Sequence, residues 1–149
     1  MTTTLSKDDL EGARDLDLGT SDWTTIEQGQ IQKFAEATHD HQWIHVDPDM
    51  AKQGPFGTTV AHGYLSLALL PFLLSQVLIV SDAVMGVNYG IEKVRFTGPV
   101  PSGSDVRLKA KLVSAERRGE GVRYVVAVEI EVRDQDKPAL IGEVVYLVF

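Results

Sequence analysis

Asp40 and His45 are the residues of this chain best suited to moving a proton. They sit in the stretch Phe34-Ala-Glu-Ala-Thr-His-Asp-His-Gln-Trp-Ile-His45, where an amphipathic helical pattern gives way to Asp47-Pro48. An imidazole titrates near neutrality, and a neighbouring carboxylate can orient it or share the proton, so the pair suits general acid/base chemistry. A spacing of five does not place two side chains on one helical face, where partners sit three or four apart. The backbone between them is therefore expected to leave the helix and bring them together from a loop. The alternative is that Asp40 caps a turn and His45 is a satisfied loop residue. A metal site is the other rival, because His39, His41 and His45 with Asp40 offer nitrogen and oxygen ligands. The glutamate of an HExxH motif is missing, and His39, Asp40 and His41 are consecutive and point apart, so no metal is expected.

Ala61-His62-Gly63 is the second constellation. If a helix starts here, its first amides have no acceptor within the helix, and Gly63 has no Cβ to keep a ligand away. That equipment can hold a developing oxyanion. The alternative is that Gly63 eases packing, with His62 either a structural histidine at the helix end or a group facing the ligand. Gln42, Ala61, His62, Tyr64, Asn88 and Tyr89 are expected to bind substrate. Lys93 and Arg95 on a strand could meet a phosphate or simply be solvated, and Asn88-Tyr89-Gly90 marks a bulge or a close ligand approach.

The elements that must position these groups follow from composition and periodicity. With 149 residues, 44% of them hydrophobic and 23% charged, the chain fits one domain spanning 1–149, residues 1–16 forming a loose helix or tail. The absence of cysteine removes disulfides and thiolate chemistry, and a net charge of −7 argues against nucleic acid as partner. No basic and apolar leader opens the chain, and a cytoplasmic location is expected.

From Lys52 to Asp82 no charged residue intervenes. Pro71, His62, Ser66 and Gln76 within that run argue for a buried helix rather than a membrane span, starting near Ala61 and kinked or divided at Pro71. Before it, Trp23 to Ile26 reads as a short strand or the approach to one, Thr25 with Gln28 as a capping box, and Ile31, Phe34, Ala35 and Thr38 as a helical face. After it come period-two strands: Val84 to Phe96, Val106 to Leu112, Val122 to Val132 and Leu140 to Phe149, with Arg118-Gly-Glu-Gly121 as a hairpin. The expected architecture is α+β, an antiparallel sheet wrapped around a long central apolar helix.

Taken together, the motifs resemble the MaoC-like dehydratases, or R-specific enoyl-CoA hydratases, of the hot-dog fold. The family's Gly-Asp-x-Asn-Pro-x-His stands here as His39-Asp40-His41-Gln42-Trp43-Ile44-His45, with Ala51 downstream. A Gly-x-x-x-Ala-His-Gly segment matches Gly57 to Gly63, and Val-Arg-Phe-x-x-Pro-Val matches Val94 to Val100. His39, Gln42 and Trp43 replace the usual glycine, asparagine and proline, so the loop is expected to have a shape of its own. The resemblance implies reversible hydration of trans-2-enoyl thioesters of coenzyme A or acyl carrier protein to R-3-hydroxyacyl thioesters. Asp40 and His45 would activate water, the Gly63 amide would form the oxyanion hole, and no cofactor would be needed. It implies a homodimer as well. A thioesterase on the same fold, or a silent acyl-thioester-binding subunit, are the competing readings.

Overall fold

Alternation of apolar and charged residues after Ser104 builds the strands that enclose the core. In β6 (Ser104–Arg118), Val106, Leu108, Ala110 and Leu112 are buried while Lys109 and Lys111 face outward. β7 (Gly121–Val132) pairs with it antiparallel, setting Leu108 against Ile130 and Leu112 against Val126. Arg118 and Gly121 close the expected hairpin, with Gly119 at φ 60 supplying the left-handed turn residue. The computed structural model describes Met1 to Phe149.

β8 (Leu140–Val148) pairs with β7, and β5 (Gly86–Phe96) pairs with β8, both antiparallel. β2 (Arg14–Thr20) and β3 (Thr24–Ile26) pair with β6, giving a six-stranded sheet in the order β2-β6-β7-β8-β5 with β3 beside β6. Against it pack α5 (Gly63–Ala68) and α6 (Leu70–Leu74), whose Leu65, Leu70, Leu73 and Leu74 join a core of 28 buried residues. A sheet wrapped on a central helical segment is the hot-dog arrangement.

The central helix divides at Pro71, as expected, because proline has no amide hydrogen for the carbonyl four residues back, and its two parts are short. Three other expectations are corrected. The end of the apolar run is strand: β4 (Leu78–Val80), rich in β-branched residues, pairs parallel with β1 (Thr3–Leu5). Residues 1–16 are accordingly not a loose tail. Leu10, on α1 (Lys7–Leu10), is fully buried, and Arg117 bridges Asp8 at 2.6 Å and Glu11 at 2.8 Å. The Thr25 capping box also fails. β3 places Thr25 opposite Asp105, whose carboxylate accepts the threonine hydroxyl at 2.6 Å, and Glu27 is the N-cap of α2 (Gln28–Thr38).

Candidate active site

The end of α2 puts Asp40 where the sequence requires it. His39 follows the helix at φ 64 and ψ 17, a left-handed conformation that usually belongs to glycine. That turn frees Asp40 and Gln42 from helical geometry before a single turn, α3 (Trp43–Val46), carries His45. His45 thus sits on a short helix rather than in a loop, while Asp40 does come from one. Asp47-Pro48, read as a closing turn, instead opens α4 (Pro48–Lys52), with the Asp47 carboxylate accepting from the Met50 amide at 3.0 Å. His39 is exposed, so replacing it by Gly, as in the resembling motif, is expected to relieve the left-handed strain. Denaturant unfolding should show a gain of about 0.5–1 kcal/mol.

His45 is 7% exposed, and its Nδ1 lies 2.7 Å from the carbonyl oxygen of Val60. A carbonyl only accepts, so Nδ1 carries the hydrogen and donates it, and in the neutral ring the lone pair is on Nε2. A backbone group thereby sets the tautomer a general base needs. The His45 carbonyl accepts from Gln28 Nε2 at 2.7 Å, and Gln28 Oε1 accepts from the buried Thr59 hydroxyl at 2.7 Å. Gln28 and Thr59 are supports that the sequence alone does not reveal. Nothing in their types marks them, and only the fold brings three distant segments together. Burial pushes the His45 imidazole below its ordinary 6.5; the Val60 carbonyl raises it, His62 lowers it, and Asp40 raises it.

A carboxylate oxygen of Asp40 and one ring nitrogen each of His45 and His62 lie within 4.8 Å of one another. One water hydrogen-bonded to two groups spans about 4.6 Å between them, so the 4.8 Å limit on Asp40 and His45 is compatible with a shared water. Asp40 is exposed, with Gln42 N–H directed at its Oδ1 at 3.4 Å. His62 is 2% exposed, stacked on His45 with ring centroids 3.9 Å apart and planes 23° apart. The trio is not the expected metal alternative, since His39 and His41 stay outside it. An ion held by both imidazoles would have to lie in both ring planes. Planes so nearly parallel do not meet within a metal–nitrogen bond of about 2.1 Å.

Gly63 opens α5, so its amide has no acceptor in its own helix. It lines a cleft of about 360 Å³ with His45, Val60, Ala61, Phe96 and Pro99. A Cβ on Gly63 would come within 2.9 Å of the Phe96 ring, so the packing reading of this glycine holds alongside the open amide.

The other expected residues scatter. Ala61 lines the cleft and its amide donates to Val100 at 2.8 Å. His62 lies buried beside His45, outside the cleft lining, because its ring is stacked there; it has no face for a ligand. Gln42 is exposed at the start of α3. Tyr64, 68% exposed and edge-on to Phe96, and Asn88 line a second, largely apolar cleft of about 320 Å³ with Leu67, Ile91 and Val144. Tyr89 is exposed at the bulge between Asn88 and Gly90. Lys93, at φ 54, and Arg95 are exposed and form no ion pair. No helix is long and apolar enough to cross a membrane.

Comparison with known proteins adds to this geometry. The profile described as MaoC like domain matches residues 10–134. A 3-hydroxyacyl-thioester dehydratase Z of Mycobacterium tuberculosis is 49% identical over 144 residues, covering 96% of this chain and 95% of that protein. Nodulation protein N of Rhizobium leguminosarum bv. viciae is 43% identical over 141 residues, covering 91% of this chain and 86% of that one. Among solved structures, an unliganded R-hydratase from Pseudomonas aeruginosa has a TM-score of 0.76 at 23% identity, covering 97% of this chain and 85% of its own. At such identity the structural likeness speaks to the fold.

Proposed function

Because this chain belongs to the MaoC-like family, we propose that it is a hydro-lyase interconverting trans-2-enoyl and R-3-hydroxyacyl thioesters. The observation that carries the reading is the single tautomer of His45: with Nδ1–H given to Val60, Nε2 is the basic atom, and the Asp40 carboxylate stands within 4.8 Å of the ring. In the hydration direction His45 Nε2 takes one proton of the water, while Asp40 accepts a hydrogen bond from the O–H that stays intact and fixes the water's orientation. The water oxygen bonds to C3, the C2–C3 π pair becomes the C1–C2 π bond, and the carbonyl π pair moves onto the thioester oxygen. The Gly63 N–H receives that developing charge, a contribution of about 10²–10³-fold for one donor. C2 then takes back a proton from the Asp40–His45 pair, so that hydroxide and proton are both accounted for. Dehydration is the reverse path, and the scheme uses no cofactor.

The acyl group is either that of coenzyme A or of acyl carrier protein. The working unit is residues 1–149 in a homodimer. β5 is a sheet edge of 11 residues with Met85, Ile91 and Phe96 exposed along and beside it, a surface that pairing with a second copy would cover.

Crotonyl-CoA tests the reading: loss of enoyl absorbance without release of thiol, giving the R alcohol, is expected. Free thiol would establish the thioesterase alternative instead, and tight binding without turnover the silent subunit. Because the active base is neutral and its folded pKa lies below 6.5, kcat/KM should still exceed half its plateau at pH 6.5. It should fall to half only as pH passes through that lowered value. A rate already halved well above pH 6.5 would remove His45 from the role.

A further inference from the structure

His62 contains the one fully enclosed side-chain polar atom of this chain without a hydrogen-bond partner, its Nδ1. A packing role does not call for this, since phenylalanine would fill a similar shape and leave no ring nitrogen unsatisfied. The reason for a histidine must lie in its other nitrogen. Nε2 lies 3.0 Å from the backbone oxygen of Asp40, 22 residues away in sequence, and with a carbonyl as partner it is the donor.

Little else holds that stretch of backbone. Within it, the Asp40 amide reaches Thr38 Oγ1 at 3.4 Å and the Gln42 amide reaches Asp40 Oδ1 at 3.4 Å, both long and both local. The next firm bond is His45 N–H to the Gln42 carbonyl at 3.0 Å, inside α3. Asp40 itself is exposed, so packing does not immobilise it. His62, in contrast, is fixed from several sides. Its ring stacks on His45 at 3.9 Å and meets Phe34 at 4.9 Å, and its backbone is the N-cap of α5, one residue before Gly63. One rigid imidazole therefore touches the base, precedes the open amide and bonds to the loop that bears the carboxylate.

We propose that His62 is a positioning residue for the hydration reaction, its Nε2–H holding the Asp40 carbonyl so that the Asp40 carboxylate stands at bridging distance from His45. This rests on the reading of Asp40 and His45 as the acid/base pair. The side chain does not touch the substrate; it determines where a residue that touches the water can be. A loop carbonyl released from this bond lets the carboxylate drift, and a misplacement of about 1 Å can cost about 10²-fold in rate.

Two variants separate the donor from the ring. His62→Phe keeps an aromatic ring against His45 and Phe34 but removes the donor; His62→Gln keeps an N–H donor but removes the ring. Wild type and both variants are assayed with crotonyl-CoA, and hydrogen exchange is followed at the amides of 40–42. His62→Phe should lose about 10–100-fold in kcat with KM within about threefold, and its 40–42 amides should exchange faster. His62→Gln should recover most of the kcat and the slow exchange. The proposal is overturned if His62→Phe turns over like wild type, or if its loop exchange is unchanged. It is also overturned if His62→Gln is as slow as His62→Phe while its loop stays protected. A wild-type protein that does not hydrate the substrate would sink the hydratase reading, whereas the exchange comparison still decides whether His62 holds the loop.

Discussion

Substituting His45 by Gln is expected to lower kcat for hydration by about 10²–10⁴-fold, the range of acid/base assistance, while the protein remains folded. The fold should survive because the glutamine amide can still donate to the Val60 carbonyl that now accepts from Nδ1. What it cannot do is accept a proton from water near neutrality. The stack on His62 is lost, so a modest fall in melting temperature is expected with near-native circular dichroism. Substrate affinity should change little, since the side chain acts on the water more than on the thioester. Full turnover in a folded His45→Gln protein would show that the imidazole is structural and would return the site to the loop-residue alternative.

Asp40→Asn provides the second large effect and the cleaner control. The carboxylate is exposed and forms no ion pair, and surface changes of this kind shift stability by about 0.5 kcal/mol or less. Loss of its charge should nonetheless reduce kcat by about 10²-fold or more, because an amide neither accepts a proton nor supports the imidazolium that forms on His45. The two substitutions act on one water, so the double variant should be little slower than the slower single one. Losses that simply multiplied would indicate that Asp40 and His45 work on separate steps.

The sequence marked the candidate residues but not their geometry. Asp40 and His45 could be paired as candidates because a spacing of five and a following proline force a break, and the structure supplies that break at His39. The strands were equally legible, since Val106 to Leu112 alternates strictly and Val122 to Val132 keeps one continuous apolar face. Less was readable in the uncharged run. Its hydrophobicity tells of burial but not of helix against strand, and only pairing with Thr3–Leu5 explains why Leu78–Val80 leaves the helix. Thr59, Gln28 and the Val60 carbonyl were illegible for another reason: each acts through a contact between distant segments. His62 was visible as a residue, but its direction, toward a backbone oxygen 22 positions away, was not.

The acceptor that fixes the proton on His45 belongs to no side chain. Every amino acid brings the same oxygen to position 60, so selection acting on residue identity there can tune packing but cannot delete the group that chooses the tautomer. Mutational scanning would pass over it without a signal. Only chemistry that alters the main chain itself, such as an ester in place of the amide joining Val60 to Ala61, reaches this determinant directly.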